Sequence, residues 1–281
     1  LLRDADFNGT VKLVFQPSEE GVNGDPEHKS GGQRMVEVGV IDGAAACVAL
    51  HVHPLQPVGQ LSYAPGEALA CASFFQIHIA GKGGHAGAAP HLAIDPILVA
   101  SHIIQAAQSI VSRNISPTQP AVFSVTRIHG GTSENVIPDD LTMGGTIRAM
   151  NTATYDYIVE RLRQILHGAE VAYGVRTTLT FTTRYPSVLN DAGLNEKLAG
   201  PVDAVFGSSN LLVTEPMLAA EDFAFYSRRS PSMFYFIGAR DTAEECFFVH
   251  HPRVVMNEAC IEPGARFLSA AARQILADYA G

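Results

Sequence analysis

Three short stretches place carboxylates or imidazoles where an apolar run ends. Ser18-Glu19-Glu20-Gly21 follows residues 11–15 (VKLVF) and Pro17, His51-Val52-His53-Pro54 closes residues 44–51, and Val249-His250-His251-Pro252 follows residues 246–249. In open parallel sheets ligands bind in loops beyond the carboxyl ends of strands. Two adjacent carboxylates there can divide the work. One ligates a divalent cation while its neighbour takes a proton from water that the metal acidifies. Adjacent side chains diverge in an extended strand, so sharing a site needs the turn that Pro17 and Gly21 permit. Glu20, His51 and His250 together offer oxygen and nitrogen donors suited to zinc or manganese. Taken singly, each stretch reads equally as a solvated acidic loop or a polar strand end. Convergence of all three favours a metal site.

Further polar groups lie between these stretches. Residues 81–86 (GKGGHA) fit G-x-G-x-x-A formally, but Pro90 and Pro96 delay the helix that should follow, and no acid occurs between Asp95 and Glu134 to hold a ribose. A glycine turn presenting His85 is the better reading. Residues 130–138 (GGTSENVIP) form a polar loop in which Asn135 offers an amide, and Arg148 offers a guanidinium suited to a carboxylate. Glu221-Asp222-Phe223 is a last acidic pair, equally readable as the charged start of a helix. There is no Gly-x-Ser-x-Gly elbow and no C-x-x-C pair, which removes the main support for a serine hydrolase or a thiolate zinc cluster.

The elements that must position these groups follow from periodicity. Residues 11–15, a helix over 33–38 and a strand over 44–51 predict a parallel βαβ unit. From residue 71 the pattern changes: strands at 74–80, 121–129, 141–150 and 177–183 enclose helices at 93–113 and from Thr152, its expected N-cap, to Gly174. This β-α-β-β-α-β order is a ferredoxin-like unit. After Pro186 the α/β pattern returns, with a helix over 193–206, a buried strand over 232–237 and a terminal helix over 259–279. The expected fold class is α/β: a catalytic domain built on a mainly parallel three-layer sheet (residues 1–70 and 186–281), interrupted by a lid or dimerisation domain (residues 71–185).

The chain has 281 residues, 47% hydrophobic and 17% charged, enough for one large or two ordinary domains and too apolar for disorder. Nineteen basic against 28 acidic residues give a net charge of −9, which argues against a nucleic-acid partner. No apolar run is long enough to span a bilayer, and residues 1–10 carry no signal-peptide pattern, so a cytoplasmic location is expected. Cys47, Cys71, Cys246 and Cys260 are scattered, and reduced thiols are expected.

Taken together, GTVKLVFQPSEEG, ALHVHP, GKGGHAGAAPH, GGTSENVIPD, GTIRAM, AAEDFAFY and VHHPRVVMNEA resemble the metal-dependent amidohydrolases that include aminoacylases, hippurate hydrolases and auxin-conjugate hydrolases. The resemblance implies hydrolysis of the amide bond of N-acyl amino acids. It implies that Glu19 is the general base, that Glu20, His51 and His250 are metal ligands, and that His85 stabilises the oxyanion. Asn135 and Arg148 would hold the substrate's acyl or carboxylate end. It further implies Zn or Mn, or else Co, normally as two ions per site, and a small-molecule substrate. A homodimer through the lid domain is a further expectation.

One departure stands out. The family's upstream motif of Cys, Gly and His, which supplies further ligands, does not occur, and the chain starts at Leu1. The expectation is therefore a C-terminal portion of a longer enzyme with an incomplete two-metal site. Residues 25–30 read as a local insertion. Two alternatives remain open: a truncated or inactive chain acting as a binding or dimerisation module, and a related dipeptidase.

Overall fold

The computed structural model describes residues 7–21, 25–240 and 246–279. Residues 1–6, residues 22–24 of the expected polar loop, residues 241–245 and residues 280–281 lie outside the described residues. In chain order, α1 (Gly31–Glu37) precedes β1 (Cys47–Pro57), β2 (Leu61–Tyr63) and β3 (Gly66–Leu69). Then come β4 (Cys71–Ala80), β5 (Gly84–His85), α2 (Pro96–Ser109), β6 (Ala121–His129), β7 (Val136–Ile137), β8 (Asp140–Ala149), α3 (Thr152–Tyr173) and β9 (Arg176–Tyr185). The chain closes with β10 (Val188–Asn190), α4 (Ala192–Lys197), α5 (Ala199–Phe206), β11 (Leu211–Val213), α6 (Ala224–Ser227), β12 (Ser232–Arg240) and α7 (Ile261–Tyr279).

The fold is mixed α/β, and its first sheet has the order β1-β12-β2-β11. β1–β12 and β2–β11 pair in parallel and β12–β2 antiparallel, so the sheet is mixed rather than mainly parallel. The three residues between β1 and β2 are too few for a crossover and can only reverse the chain. Alternation along β12 sorts its two faces. Met233, Tyr235, Ile237 and Ala239 join a core with Phe206 of α5 and Phe267, Ala271 and Ile275 of α7. Phe234 packs on the opposite side against Ala224 of α6, with Phe223 and Phe236 beside them. Along α7, residues 267, 271 and 275 recur every four positions, which is the helical stripe the sequence shows.

Three expectations about this part change. Residues 11–15 form no strand: Leu13 is 71% and Phe15 87% exposed, and neither edge of the sheet pairs with them. An apolar run becomes a strand only where a neighbouring backbone satisfies its N–H and C=O groups. The predicted parallel βαβ unit is absent for that reason. Residues 246–249 are likewise not a strand, because the chain turns there and Phe247 stacks on the His251 ring at 4.0 Å. β1 runs past Pro54 to Pro57, with an irregularity in its register between His53 and Pro57 that accommodates the missing donor. Gly238 faces that irregularity: a Cβ there would lie 1.8 Å from the Pro57 carbonyl oxygen.

The second sheet is antiparallel, with the order β6-β8-β4-β9. α2 and α3 cover one face, where Phe75, Ile77 and Ile79 of β4 meet Ile103, Ile158 and Leu162. Alternate residues such as Phe74 point away from those helices and stay half exposed. α3 is capped by Asn151, whose side chain accepts from the Thr154 N–H, one residue before the expected Thr152, and it ends at Gly174 in the left-handed conformation. α2 begins at Pro96 after its Asp95 cap. The helix expected over 193–206 is two helices, α4 and α5, joined at Leu198.

Candidate metal and catalytic centre

Glu19 and Glu20 sit in a turn in which the Gly21 N–H donates to the Ser18 carbonyl (3.0 Å), with Ser18 at φ +50° and Gly21 at φ +82°. The turn sends the two carboxylates different ways. Glu20 is 74% exposed and its Oε1 lies 3.7 Å from His250 Nε2. Glu19 turns inward, where its oxygen, one of Glu221 and one of Asp222 all fall within 4.8 Å of one another. Burial, reinforced by the Asp222 charge, raises the Glu19 carboxyl above its ordinary value. Glu221 is pushed up to about 8 by burial and by Glu19. Three carboxylates so close cannot all carry charge.

His51 lies on β1 opposite Phe236, on the sheet face away from α7, and its ring meets Phe234 at 6.2 Å and Phe236 at 5.7 Å. His53 shares that face and meets Phe236 at 5.8 Å. Phe234 in turn meets Phe223, the neighbour of Asp222, at 5.6 Å. His51 Nδ1 lies 2.8 Å from the Val52 carbonyl, an acceptor, so Nδ1 holds the hydrogen and Nε2 keeps its lone pair. That is the form in which an imidazole ligates a metal. His53 Nδ1 is buried with no hydrogen-bond partner among the described residues, and burial lowers the pKa of that ring.

At the third stretch the structure separates two neighbouring histidines. His251 is occupied: its ring stacks on Phe247 and its Nδ1 accepts the Arg253 N–H at 3.1 Å. His250 stands at φ +68°, 76% exposed, towards Glu20. Two donors each about 2.1 Å from a tetrahedral ion lie about 3.4 Å apart. The Glu20–His250 separation is within a few tenths of an ångström of that figure. That pair of carboxylate oxygen and imidazole nitrogen suits a divalent ion, but His51 does not join it within the same reach: among the described residues the ligand atoms that gather three together within 4.8 Å are those of Glu19, Glu221 and Asp222.

His85, Asn135 and Arg148 belong to the second sheet's unit. β5 pairs with β7 so that His85 faces Val136, and the Ala86 N–H donates to the Asn135 carbonyl at 3.0 Å. The two loops read separately from the sequence are thus one structure. His85 Nδ1 accepts the N–H groups of Gly87 (3.2 Å) and Ala88 (3.0 Å), which leaves the hydrogen on Nε2. Arg148 is half buried on β8, where its Nε donates to Thr146 Oγ1 (3.2 Å) and its guanidinium lies 5.8 Å from the centre of the Phe74 ring. Among the described residues, no hydrogen bond or ion pair joins these three to Glu19, Glu20 or His250.

Sequence reasoning missed Gln16, Tyr185 and Tyr226, and gave Glu221 and Asp222 no role. Gln16 Nε2 donates to both Asp222 carboxylate oxygens at 2.8 Å, Tyr226 Oη donates to Gln16 Oε1 at 2.9 Å, and Tyr185 Oη donates to the Glu19 carbonyl at 2.6 Å. The only signal available was the acidic pair at 221–222.

Residues 1–274 match Peptidase family M20/M25/M40. The chain belongs to this family. Relatives of the M20 chain include N-acetylcysteine deacetylase of Bacillus subtilis, 36% identical over 95% of this chain and 67% of that protein. Another is IAA-amino acid hydrolase ILR1-like 4 of Arabidopsis thaliana, 34% identical over 97% of this chain and 61% of that protein. A dinuclear metal binding peptidase of the M20 family from Bacillus subtilis superposes with a TM-score of 0.74 at 28% identity, over 93% of this chain and 64% of that one. The M20 chain thus spans 61 to 67% of the length of these proteins.

Proposed function

We propose that this M20 chain contributes the reacting groups of a metal-dependent amidohydrolase that cleaves the amide bond of N-acyl amino acids. The observation that carries the reading is the turn at Ser18–Gly21. It parts two adjacent carboxylates, giving Glu20 to His250 and Glu19 to a buried position of raised pKa. The names of the deacetylase and amino acid hydrolase relatives support the substrate class.

In this reading Glu20, His51 Nε2 and His250 Nε2 hold a divalent cation, Zn or Mn or else Co, with a second ion as in the dinuclear relative. Such an ion supplies Lewis acidity, acidifying water and polarising a carbonyl. Glu19, its pKa raised by burial and the Asp222 charge, takes one proton from the attacking water as its oxygen bonds to the acyl carbon. The proton then passes to the amide nitrogen as the C–N bond breaks, so one amide and one water give one carboxylic acid and one amine. His85 donates its Nε2–H to the oxygen on which charge develops. Asn135 and Arg148 bind the acyl or carboxylate end of the substrate, which lies between the two units. Residues 1–70 and 186–281 would form the catalytic domain, built as a three-layer fold, and residues 71–185 the lid. Ile97 and Leu98 on α2 and Ile128 on β6 are exposed apolar side chains, and they favour the lid as a homodimer surface.

Among the described residues no disulfide joins Cys47, Cys71, Cys246 or Cys260, which agrees with a reducing, cytoplasmic setting. No helix among the described residues is long and apolar enough to cross a membrane. The test is turnover by the metal-loaded protein on N-acetyl and N-benzoyl amino acids against free dipeptides. Release of amine from the acylated substrates is the expected result. Activity confined to dipeptides identifies the related dipeptidase, and no activity on either identifies a binding module.

A further inference from the structure

The Asp222 carboxylate is 1% exposed and accepts hydrogen bonds from neutral donors, while one of its oxygens also lies within 4.8 Å of carboxylate oxygens of Glu19 and Glu221. Gln16 Nε2 reaches both oxygens at 2.8 Å and the Gly32 N–H reaches Oδ2 at 2.7 Å. A Cβ on Gly32 would lie 2.7 Å from the same carboxylate, so glycine is what lets α1 approach it. Gln16 is held in turn by Tyr226 Oη. Tyr226 follows Asp222 by four residues in the turn that opens α6, where the Phe225 N–H donates to the Asp222 carbonyl at 2.9 Å and the Tyr226 ring stacks on Phe223 at 5.5 Å. The result is a closed loop of contacts, Asp222–Gln16–Tyr226 and back along the backbone. From it one donor points outward: the Asp222 N–H, 3.3 Å from Glu19 Oε1.

We propose that Asp222 is a positioning residue for Glu19, its buried carboxylate clamping Gln16 and the first turn of α1 so that its own backbone N–H orients the Glu19 carboxylate. The inference rests on the reading of Glu19 as the proton acceptor. It differs from a metal-ligand role for Asp222, because here the residue acts through its own N–H while its carboxylate accepts from Gln16 and Gly32. A general base held by a fixed donor keeps its second oxygen aimed at the reacting water, and loss of that aim lowers the rate of the chemical step while leaving ground-state binding intact.

The test uses the metal-loaded protein and an N-acetyl amino acid. Asp222→Asn should lower kcat by roughly tenfold or more, an estimate from the usual cost of misorientation, with KM and bound metal within about twofold of the parent. Gln16→Glu alone sets two carboxylates face to face and should lower kcat similarly. The double variant, Gln16→Glu with Asp222→Asn, restores a donor opposite an acceptor and should recover most of the loss. Unchanged kcat in Asp222→Asn, loss of metal in step with kcat, or a double variant as poor as the product of the single ones overturns the proposal. Hydrogen exchange gives a readout without turnover: amides 221–227 should be protected in the parent and exchange faster in Gln16→Leu, and equal exchange rates contradict the clamp. An inactive parent sinks the functional reading, while the exchange comparison still decides the clamp.

Discussion

The Tyr185 hydroxyl, at the end of β9, donates to the backbone carbonyl of Glu19 at 2.6 Å across 166 residues of chain. This bond ties the second sheet's unit directly to the turn that carries the proposed base. The Tyr185 ring also meets Phe225 of α6 edge-on at 6.0 Å, so the residue is anchored on both sides of the junction. Tyr185→Phe keeps the ring and removes the bond. It should cost about 1 kcal/mol of stability, the usual net worth of one hydrogen bond, and it should lower kcat more than it changes KM. Chemical denaturation together with steady-state kinetics checks both.

Glu19→Gln retains the shape of the side chain and its hydrogen bond from the Asp222 N–H, but it cannot accept a proton. Turnover should fall by about 10²- to 10⁴-fold, the range for loss of a general base, while metal content stays at the parent level. Metal analysis beside the activity assay distinguishes this result from loss of the ion.

The two neighbouring histidines at 250 and 251 should behave differently. His250 faces Glu20, whereas His251 is stacked on Phe247. His250→Ala should weaken metal binding at least about tenfold, and His251→Ala should leave metal affinity within about twofold. Competition titration against a chelator reads both.

Stability of the metal-free protein should depend on pH through Glu221. Burial and the neighbouring Glu19 raise its folded pKa to about 8, above the ordinary value of 4.5. The folded protein therefore keeps a proton that the unfolded chain has already released. The stabilisation from that proton is fully present below the ordinary value and is lost as pH rises towards about 8. Melting temperature should fall over that interval, and Glu221→Gln, which needs no proton, should flatten the fall. A parallel shift of the whole curve in the variant would contradict the assignment.

Long helices were the most legible part of the chain. Tyr155, Ile158, Leu162 and Leu166 recur with helical period and are all buried, and Gly174 stops α3 where a left-handed residue is needed. Residues 11–15 have an equally clear strand composition, yet they pair with no strand among the described residues, since pairing depends on a neighbour that composition does not reveal. Pro54 was read as a terminator, but a local irregularity carries β1 past it. At the site, adjacent carboxylates and histidines at the ends of apolar runs single out Glu19, Glu20, His51 and His250 as candidates because metal chemistry demands those residue types. Gln16, Asp222 and Tyr226 were not legible together. Their clamp is a contact between residues 206 and 210 positions apart, and an amide or a phenol carries no mark of the partner it will find.

The most direct measurement is anomalous diffraction at the zinc edge from crystals of the zinc-loaded protein. A peak within about 2.0–2.2 Å of Glu20, His51 Nε2 and His250 Nε2 is the predicted result. A peak bonded instead to Glu221 and Asp222, or none at saturating zinc, would contradict it.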